Sequence, residues 1–291
     1  MSAGQQSESK IQNPKSKMSI TVAHSPDADD AFMFHALANH KIDTGWLTIN
    51  HELCDIETLN QRAKRNELEV TAVSFHAYPY IADKYVITCA GASMGDRYGP
   101  ILVSKEPLNP AELKGRKVAV PGPLTSATLA MRLYNNDVEL VNLPFNQVQH
   151  AVLDGSVDAG VIIHEGQVTY NDLKLFKVVD LGEWWYTKYE LPLPLGCNVA
   201  RRDLGKEVIA QFSKCFGASI KYALEHRDEA LDYALTYGRG LDRGRADKFV
   251  GMYVNDYTID IGDRGMQAVR LFLKLGRERG FITSTADPEW I

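Results

Sequence analysis

The chain has 291 residues, of which 45% are hydrophobic and 24% charged, and its formal net charge is -5 at pH 7. This length predicts about two domains, and the average composition predicts a soluble globular protein with large hydrophobic cores. The weakly negative net charge differs from the positive charge that nucleic-acid-binding domains carry, so the sequence does not predict a nucleic-acid partner.

Residues 1–17 are polar and contain no apolar segment that could form the core of a secretory signal. We interpret them as a disordered tail. No later run of ~18 apolar residues could cross a membrane. The sequence therefore predicts a cytoplasmic protein with no membrane partner.

From Met18 onward, short β-branched runs alternate with segments of helical periodicity, which predicts an α/β architecture with largely parallel sheets. The first predicted strands are SITVAHS, LTINHEL, LEVTAVS, YVITCAGASM and GPILVSK. The helices predicted between them are DDAFMFHALANH, with Asp29 or Asp30 at its N-cap, DIETLNQRAKRN and FHAYPYIADK.

A break rich in proline and charge, EPLNPAELKGR, marks the beginning of a second unit. Its predicted strands are KVAVPG, VELVNLP, DAGVIIHE and KLFKVVDLG, and its predicted helices are LTSATLAMRLYNN and FNQVQHAVLDGS. After a return strand within LPLPLGCNVARRDL, the chain is mostly helical. We therefore predict a large lobe, residues 18–104 and 200–291, and a small lobe, residues 105–199. The two crossings between them predict a two-stranded hinge over a cleft.

Small hydroxyl residues stand at three junctions where a buried strand leads into a helix. They are Ser25, Ser74 and the pair Thr125 and Ser126. In parallel sheets the carboxyl ends of the strands form the ligand crevice, and helix N-termini there present N–H donors that suit a carboxylate. Each residue alone is commonly just an N-cap. Three such junctions together predict a site for a small anion.

The segment VDAGVIIHE is an apolar strand that ends on His164 and Glu165. An imidazole at the edge where the sheet crevice opens can act as a general base near neutral pH. The alternative is a structural histidine bonded to a backbone carbonyl, and the pattern itself does not choose between the two. Adjacent strand residues point to opposite faces, so Glu165 is not expected to contact the ring.

Motifs of other chemistries are missing from the sequence. It has no G-x-G-x-x-G after a strand, no P-loop, no G-x-S-x-G and no H-E-x-x-H. Its four cysteines form no C-x-x-C pair, which fits free thiols in a reducing compartment. Asp27, Asp29 and Asp30 crowd together without the Gly and Glu of a calcium loop, so we interpret them as a capped turn. No cofactor and no metal are therefore predicted.

Several segments occur in an order that resembles a known family. They are SPDADDAFMFHAL, DIETLN, VAVPG, AGVIIHE, VVDLGEWW, LPLPLG with ARRDLG, and YVND with DIG. Together they resemble the 1,4-dihydroxy-6-naphthoate synthases of the futalosine route to menaquinone, over nearly all of the chain from Met18 to about Arg270. The combination of AGVIIHE with LPLPLG is the specific part of this likeness.

The resemblance implies a two-lobed, type II periplasmic-binding-protein fold that serves as a cytoplasmic enzyme. It also implies cleavage of cyclic dehypoxanthine futalosine to the naphthoate and a three-carbon fragment, with His164 as the proton acceptor. The aromatic carboxylate substrate is expected to contact Ser25, Asp29, Ala72, Val73, Ser74, Thr125, Ser126 and Ala127. We expect a monomer or a homodimer.

The chain departs from the family in two places. The family's first motif is often SPCPNDTF, so that Asp27 replaces a cysteine, Asp29 an amide and Ala31 a threonine. The three residues before Ser74 are TAV in this chain, whereas the family often has a lysine followed by a leucine in this segment. An added carboxylate and a lost cation disfavour an anionic ligand unless these side chains point away. Two alternatives share the fold: chorismate dehydratase of the same pathway, and a solute-binding protein for a small carboxylate.

Overall fold

The computed structural model describes residues 17–238 and 240–291, and strands alternate with helices there as predicted. The predicted disordered tail, residues 1–17, lies outside the described residues apart from Lys17. The strands are β1 (Met18–His24), β2 (Leu47–Leu53), β3 (Val70–Ser74), β4 (Tyr85–Ile87), β5 (Ser93–Gly95), β6 (Ile101–Ser104), β7 (Lys117–Val120), β8 (Glu139–Asn142), β9 (Ala159–Ile162), β10 (Phe176–Asp180) and β11 (Leu193–Arg201).

The α-helices cover the sheets and form most of the C-terminal part of the chain. They are α1 (Ala28–Ala38), α2 (Ile56–Lys64), α3 (Ser126–Tyr134), α4 (Phe145–Asp154), α5 (Gly166–Thr169), α6 (Leu181–Tyr189), α7 (Lys206–Glu225), α8 (Arg227–Leu235), α9 (Arg243–Tyr253), α10 (Asp256–Ile259) and α11 (Gly262–Glu278). Within residues 17–238 and 240–291, none of these helices combines the length and the apolarity that a membrane span requires.

The first sheet has the strand order β2-β1-β3-β11-β4, and β5 also pairs with β11. Strand β1 runs parallel to β2 and β3, whereas β11 runs antiparallel to β3, β4 and β5. Because β1 and β3 are parallel, their last residues, His24 and Ser74, lie at the same edge of the sheet. This edge is where ligands of open α/β sheets bind.

The second sheet has the strand order β10-β6-β9-β7-β8. Strand β7 runs parallel to β8 and β9, and β6 runs antiparallel to β9 and β10. The parallel pair β7 and β9 therefore brings Val120 and Ile162 to one edge. After Val120 the chain leads to α3, and after Ile162 it leads to His164. Both segments therefore begin at that edge of the second sheet.

Two strands, β6 and β11, belong to a different sheet from the one that the predicted lobe boundaries imply. The sequence assigns Ile101–Ser104 to the large lobe and most of Leu193–Arg201 to the small lobe. Instead, β6 pairs in the second sheet, and β11 pairs in the first. Both strands are largely buried, and a buried apolar run does not indicate which sheet it joins. The division into lobes at residues 104/105 and 199/200 stays a prediction, and the chain passes from one sheet to the other at residues 96–100 and returns at residues 190–192.

Three other segments differ from the predicted elements. FHAYPYIADK forms only a 3-10 turn at Tyr78–Tyr80, because Pro79 lacks the N–H that a longer α-helix needs. YVITCAGASM divides into β4 and β5 around Gly91, whose φ is +82°. KLFKVVDLG is a strand only as far as Asp180, which accepts bonds from two N–H groups of the next turn and thereby caps α6.

Two hydrophobic clusters dominate the interior. The first, which we call the shared core, contains buried residues of both sheets: Val73 and Ile87 from the first, Val118 and Val161 from the second. The second cluster packs α1 against α7 and α9. Because neighbouring helices cover α1, its residues 28–37 are all buried, including the two acidic residues of its first turn.

Three histidines make the fold sensitive to acid. Burial lowers the pKa of His24, His51 and His76 to about 4, whereas an unfolded chain has a histidine pKa near ~6.5. Between these values the unfolded chain binds more protons than the folded one. The stability contributed by these histidines is therefore fully present above pH ~6.5 and is lost as the pH falls through about 4.

We expect the melting temperature to fall steeply from pH ~6.5 to about 4 in a calorimetric pH series. A His51→Asn variant should flatten this slope, because it removes one group that gains a proton on unfolding. A His150→Asn variant is the matched control, since the His150 side chain is 81% exposed. A melting temperature that is constant across this window would contradict the expectation.

Candidate active site

A cleft with about 730 Å³ of empty space lies where the edges of the two sheets meet. Its walls come from the beginning of α1, the end of β3, the first turn of α3, the segment after β9 and the first half of β11. All nine residues predicted for the site line this cleft: Ser25, Asp29, Ala72, Val73, Ser74, Thr125, Ser126, Ala127 and His164. Their roles in binding and catalysis stay predictions.

His164 lies two residues beyond β9, in left-handed backbone with a φ of +54°. Its Nδ1 lies 2.7 Å from Asp27 Oδ2, and its side chain is 15% exposed. Because an ionised carboxylate can only accept, the neutral ring carries its proton on Nδ1 and its lone pair on Nε2. Within the described part of the chain, Nε2 has no hydrogen-bond partner. The ring therefore has a vacant acceptor at Nε2, which is buried in the wall of the cleft.

Asp27 serves both as a helix cap and as the partner of this ring. Its Oδ1 accepts from the N–H of Asp30 at 3.4 Å, so α1 begins at Ala28 and the predicted cap at Asp29 or Asp30 is wrong. Burial by itself raises the pKa of Asp27, but attraction to His164 and the hydrogen bond with it outweigh burial and hold the pKa below its usual range. Asp27 is thus an anion that orients the ring and stabilises its protonated form.

Glu165 occupies the N-terminus of α1 from the other side. Its side chain is buried, and its Oε1 accepts from the N–H of Ala28 at 3.3 Å. The N–H of Asp30 likewise donates to Asp27, so backbone donors of the first turn of α1 already bind carboxylates of the protein itself. The junction after Ser25 is therefore poorly suited to a substrate carboxylate.

The N-terminus of α3 is a better place for an anion. Thr125 caps this helix, because its Oγ1 accepts from the N–H of Thr128 at 3.2 Å. The Ser126 hydroxyl donates to Leu195 O at 2.6 Å and accepts from the N–H of His76 at 3.3 Å, so its proton is used within the protein. The first two N–H groups of α3 have no intrahelical acceptor and suit a carboxylate.

Ser74 is held by a residue that sequence reasoning missed. Asn60 of α2 is fully buried; its Nδ2 donates to Ser74 Oγ at 3.1 Å, and its Oδ1 accepts from the N–H of Ser74 at 2.8 Å. The Ser74 hydroxyl keeps its own proton, which it can donate to a ligand. No local pattern marks Asn60, because its role depends on the packing of α2 against β3.

Tyr253 and Gln167 line another part of the cleft and were also missed. The Tyr253 hydroxyl and the Gln167 side-chain amide are hydrogen-bonded at 2.5 Å. Burial raises the pKa of Tyr253 well above its usual range, so the phenol is neutral. The sequence does contain one indication of Tyr253. The motif YVND, which contributes to the family likeness, begins at this residue.

Residues 20–278 match a protein-family model described as "Menaquinone biosynthesis". Two relatives named 1,4-dihydroxy-6-naphtoate synthase are each 35% identical to this chain. The Streptomyces coelicolor protein aligns with 90% of this chain and 94% of its own length. For the Thermus thermophilus protein the two shares are 94% and 99%.

Solved structures confirm the predicted two-lobed fold. A protein from Archaeoglobus fulgidus is 50% identical, with a TM-score of 0.87 over 91% of this chain and 98% of that chain. The alkanesulfonate-binding protein from Xanthomonas axonopodis pv. citri, solved with MOPS, has a TM-score of 0.68 at 11% identity over 91% of this chain and 94% of its own. That second likeness shows the periplasmic-binding-protein fold alone. The chain belongs to the menaquinone-biosynthesis family that includes the 1,4-dihydroxy-6-naphthoate synthases.

Proposed function

We propose that this protein is a carbon–carbon lyase that converts cyclic dehypoxanthine futalosine to 1,4-dihydroxy-6-naphthoate. The observation that carries the proposal is the pair formed by Asp27 and His164 in the cleft, in which Nε2 has no hydrogen-bond partner among the described residues. The cleft combines apolar walls with a few convergent polar groups, as small-molecule sites do. A cytoplasmic location and a monomeric or homodimeric state remain part of the proposal.

In this reaction Nε2 of His164 removes a proton from the substrate, and the electron pair left behind opens the spiro ring. Cleavage of the carbon–carbon bond then releases the three-carbon fragment, which takes up the proton held by the imidazolium, and aromatisation to the naphthalene supplies the driving force. Asp27 stabilises the imidazolium that forms, because its anionic Oδ2 lies 2.7 Å from Nδ1. A positioned general base of this kind contributes about 10²–10⁴-fold in rate.

The substrate carboxylate is proposed to bind at the beginning of α3. The first two N–H groups of this helix and the positive end of its dipole favour an anion there. The hydroxyl of Ser74, fixed by Asn60, adds a donor from the first sheet. Such preorganised donors commonly contribute a few kcal/mol to transition-state stabilisation.

The direct test incubates purified protein with cyclic dehypoxanthine futalosine and, in a separate reaction, with chorismate. We expect the naphthoate chromophore to appear only in the first reaction, and mass spectrometry should show the three-carbon fragment in equal amount. A His164→Asn variant is the negative control, in which very little naphthoate should form. Conversion of chorismate with no naphthoate would assign the protein to the dehydratase reaction, and tight binding without turnover would assign it to solute binding.

A Ser74→Ala variant should raise KM for the substrate about tenfold, which corresponds to the ~1.4 kcal/mol of one hydrogen bond to a charged group. The value of kcat should change much less, because the contact is present in both the bound and the transition state. Steady-state kinetics measures both constants. Ser104→Ala is the control, since Ser104 is equally buried but lies outside the cleft. An unchanged KM in Ser74→Ala contradicts the carboxylate position.

A further inference from the structure

Four carboxyl groups gather beside the cleft, and three of them accept an identified donor. Asp27 accepts from the N–H of Asp30 and from His164. Asp30 Oδ2 accepts from the N–H of Ser25 at 2.8 Å, and Glu165 Oε1 accepts from an N–H of α1 at 3.3 Å. At Asp27, attraction to the imidazole and the hydrogen bond with it hold the pKa below the usual range. At Asp30, burial and the charge of Asp27 raise the pKa in spite of the bond from Ser25.

Asp29 is the exception. It lines the cleft and is 9% exposed, and its Oδ1 has no hydrogen-bond donor within residues 17–238 and 240–291. Asp29 lies in the first turn of the helix that Asp27 caps, and the two carboxyl groups interact electrostatically. A buried carboxylate that has no donor at one of its oxygens and interacts with a second carboxylate is strongly disfavoured, and such a pair can share one proton.

The groups that face Asp29 also favour its neutral form. Burial is the largest cause that raises the pKa of Asp29 well above its usual range, and the charges of Asp27, Asp30 and Glu165 raise it further. Tyr253 of α9 also faces it, and that phenol is neutral. His164 is the cation that can form nearby, but its Nδ1 is bonded to Asp27 rather than to Asp29.

We propose that Asp29 is a neutral carboxylic acid that donates its proton in a hydrogen bond to Asp27 and thereby fixes the Asp27 anion against His164. Asp29 is then a positioning residue that acts on the base through Asp27. The inference rests on the proposed function for the role of His164 as a base. It also removes a negative charge from the wall of the cleft, which favours an anionic substrate.

The proton on Asp29 can be detected without any ligand. Infrared spectra of the free protein at neutral pH should show the C=O stretch of a protonated carboxyl, and Asp29→Asn should lose a component of that band. Asp242→Asn, at an exposed N-cap, is the control that should leave the band unchanged. Loss of a carboxylate band in Asp29→Asn, with the protonated band intact, overturns the inference.

The stability of Asp29→Asn supplies a second readout. A group whose pKa is raised by folding contributes less stability as the pH rises from its unfolded pKa of ~3.9 towards its folded pKa. Asparagine has no such group, so Asp29→Asn should gain melting temperature over the wild type, and this gain should grow with pH. A gain that is the same at every pH, or no gain, contradicts a proton held by Asp29.

The kinetic arm compares Asp29→Asn with Asp29→Ala. We expect Asp29→Ala to lower kcat about a hundredfold, the effect of losing a preorganised donor, with a smaller change in KM. Asp29→Asn should retain more activity, because its amide can still donate to Asp27. Equal losses in both variants overturn the inference. The infrared measurement needs no substrate, so the two proposals can fail separately. A wild-type protein without activity would refute the proposed function alone. An active wild-type protein in which Asp29 is ionised would refute this inference alone.

Discussion

Replacing His164 by asparagine should lower kcat about a thousandfold, within the range that a general base contributes, and leave folding and ligand affinity largely intact. The reason is that the lone pair of His164 Nε2 has no hydrogen-bond partner among the described residues, and an amide cannot take up the substrate proton. Asparagine is the appropriate replacement because the backbone at this position has a φ of +54°, which asparagine tolerates better than alanine.

Turnover of cyclic dehypoxanthine futalosine is measured by the appearance of the naphthoate, and affinity by titration of the inactive variant with substrate. The control is His150→Asn, which replaces an exposed histidine on α4. It should have wild-type kinetics. Turnover at the wild-type rate in His164→Asn would rule out the base assignment, whereas loss of substrate affinity would point to a binding role for the ring.

Replacing Asp27 by asparagine should lower kcat about a hundredfold or more while α1 stays capped. Asparagine caps helices about as well as aspartate, so α1 keeps its first turn. Its amide N–H groups can, however, donate to Nδ1 of His164, which moves the ring proton to Nε2 and leaves no base for the substrate. Asp27→Ala should in addition lose about 1 kcal/mol of stability with the cap.

A double mutant separates the two roles of Asp27. If Asp27 acts on the reaction through the ring, adding Asp27→Asn to His164→Asn should cause little further loss of kcat, because residues that act as a unit are not additive. Asp242→Asn is the matched control for capping, since Asp242 caps α9 through the N–H of Arg245 in the same way. If Asp27→Asn has the kinetics of this control, the pair does not form the base.

Much of the architecture follows from local patterns in the sequence. The strands SITVAHS and LTINHEL and the helices that begin near Ser126 and Phe145 lie within a residue or two of their predicted bounds, because apolar periodicity and caps are local signals. Ser25, Ser74, Thr125, Ser126 and His164 could be predicted at the cleft because they stand at or after the carboxyl ends of strands, and the topology brings those ends together.

The interactions that give those residues their chemistry could not be predicted in this way. Asp27 and His164 come from different sheets, and no pattern in either segment identifies the other as its partner. The same holds for Asn60 and Ser74, and for the hydroxyl of Ser126, which bonds to Leu195. The interpretation of Asp27, Asp29 and Asp30 as a capped turn is correct locally, although the cap is Asp27 and not Asp29 or Asp30. It gives no information about what else reaches the Asp27 carboxylate.

The shared core has a consequence for denaturation. Val73 and Ile87 of the first sheet pack in the same buried cluster as Val118 and Val161 of the second, so neither sheet can lose its packing without exposing apolar surface of the other. A protein built in this way is expected to melt as one cooperative unit rather than lobe by lobe. Guanidinium titrations followed by different spectroscopic probes should then coincide, even though the chain is long enough for two independently folding domains.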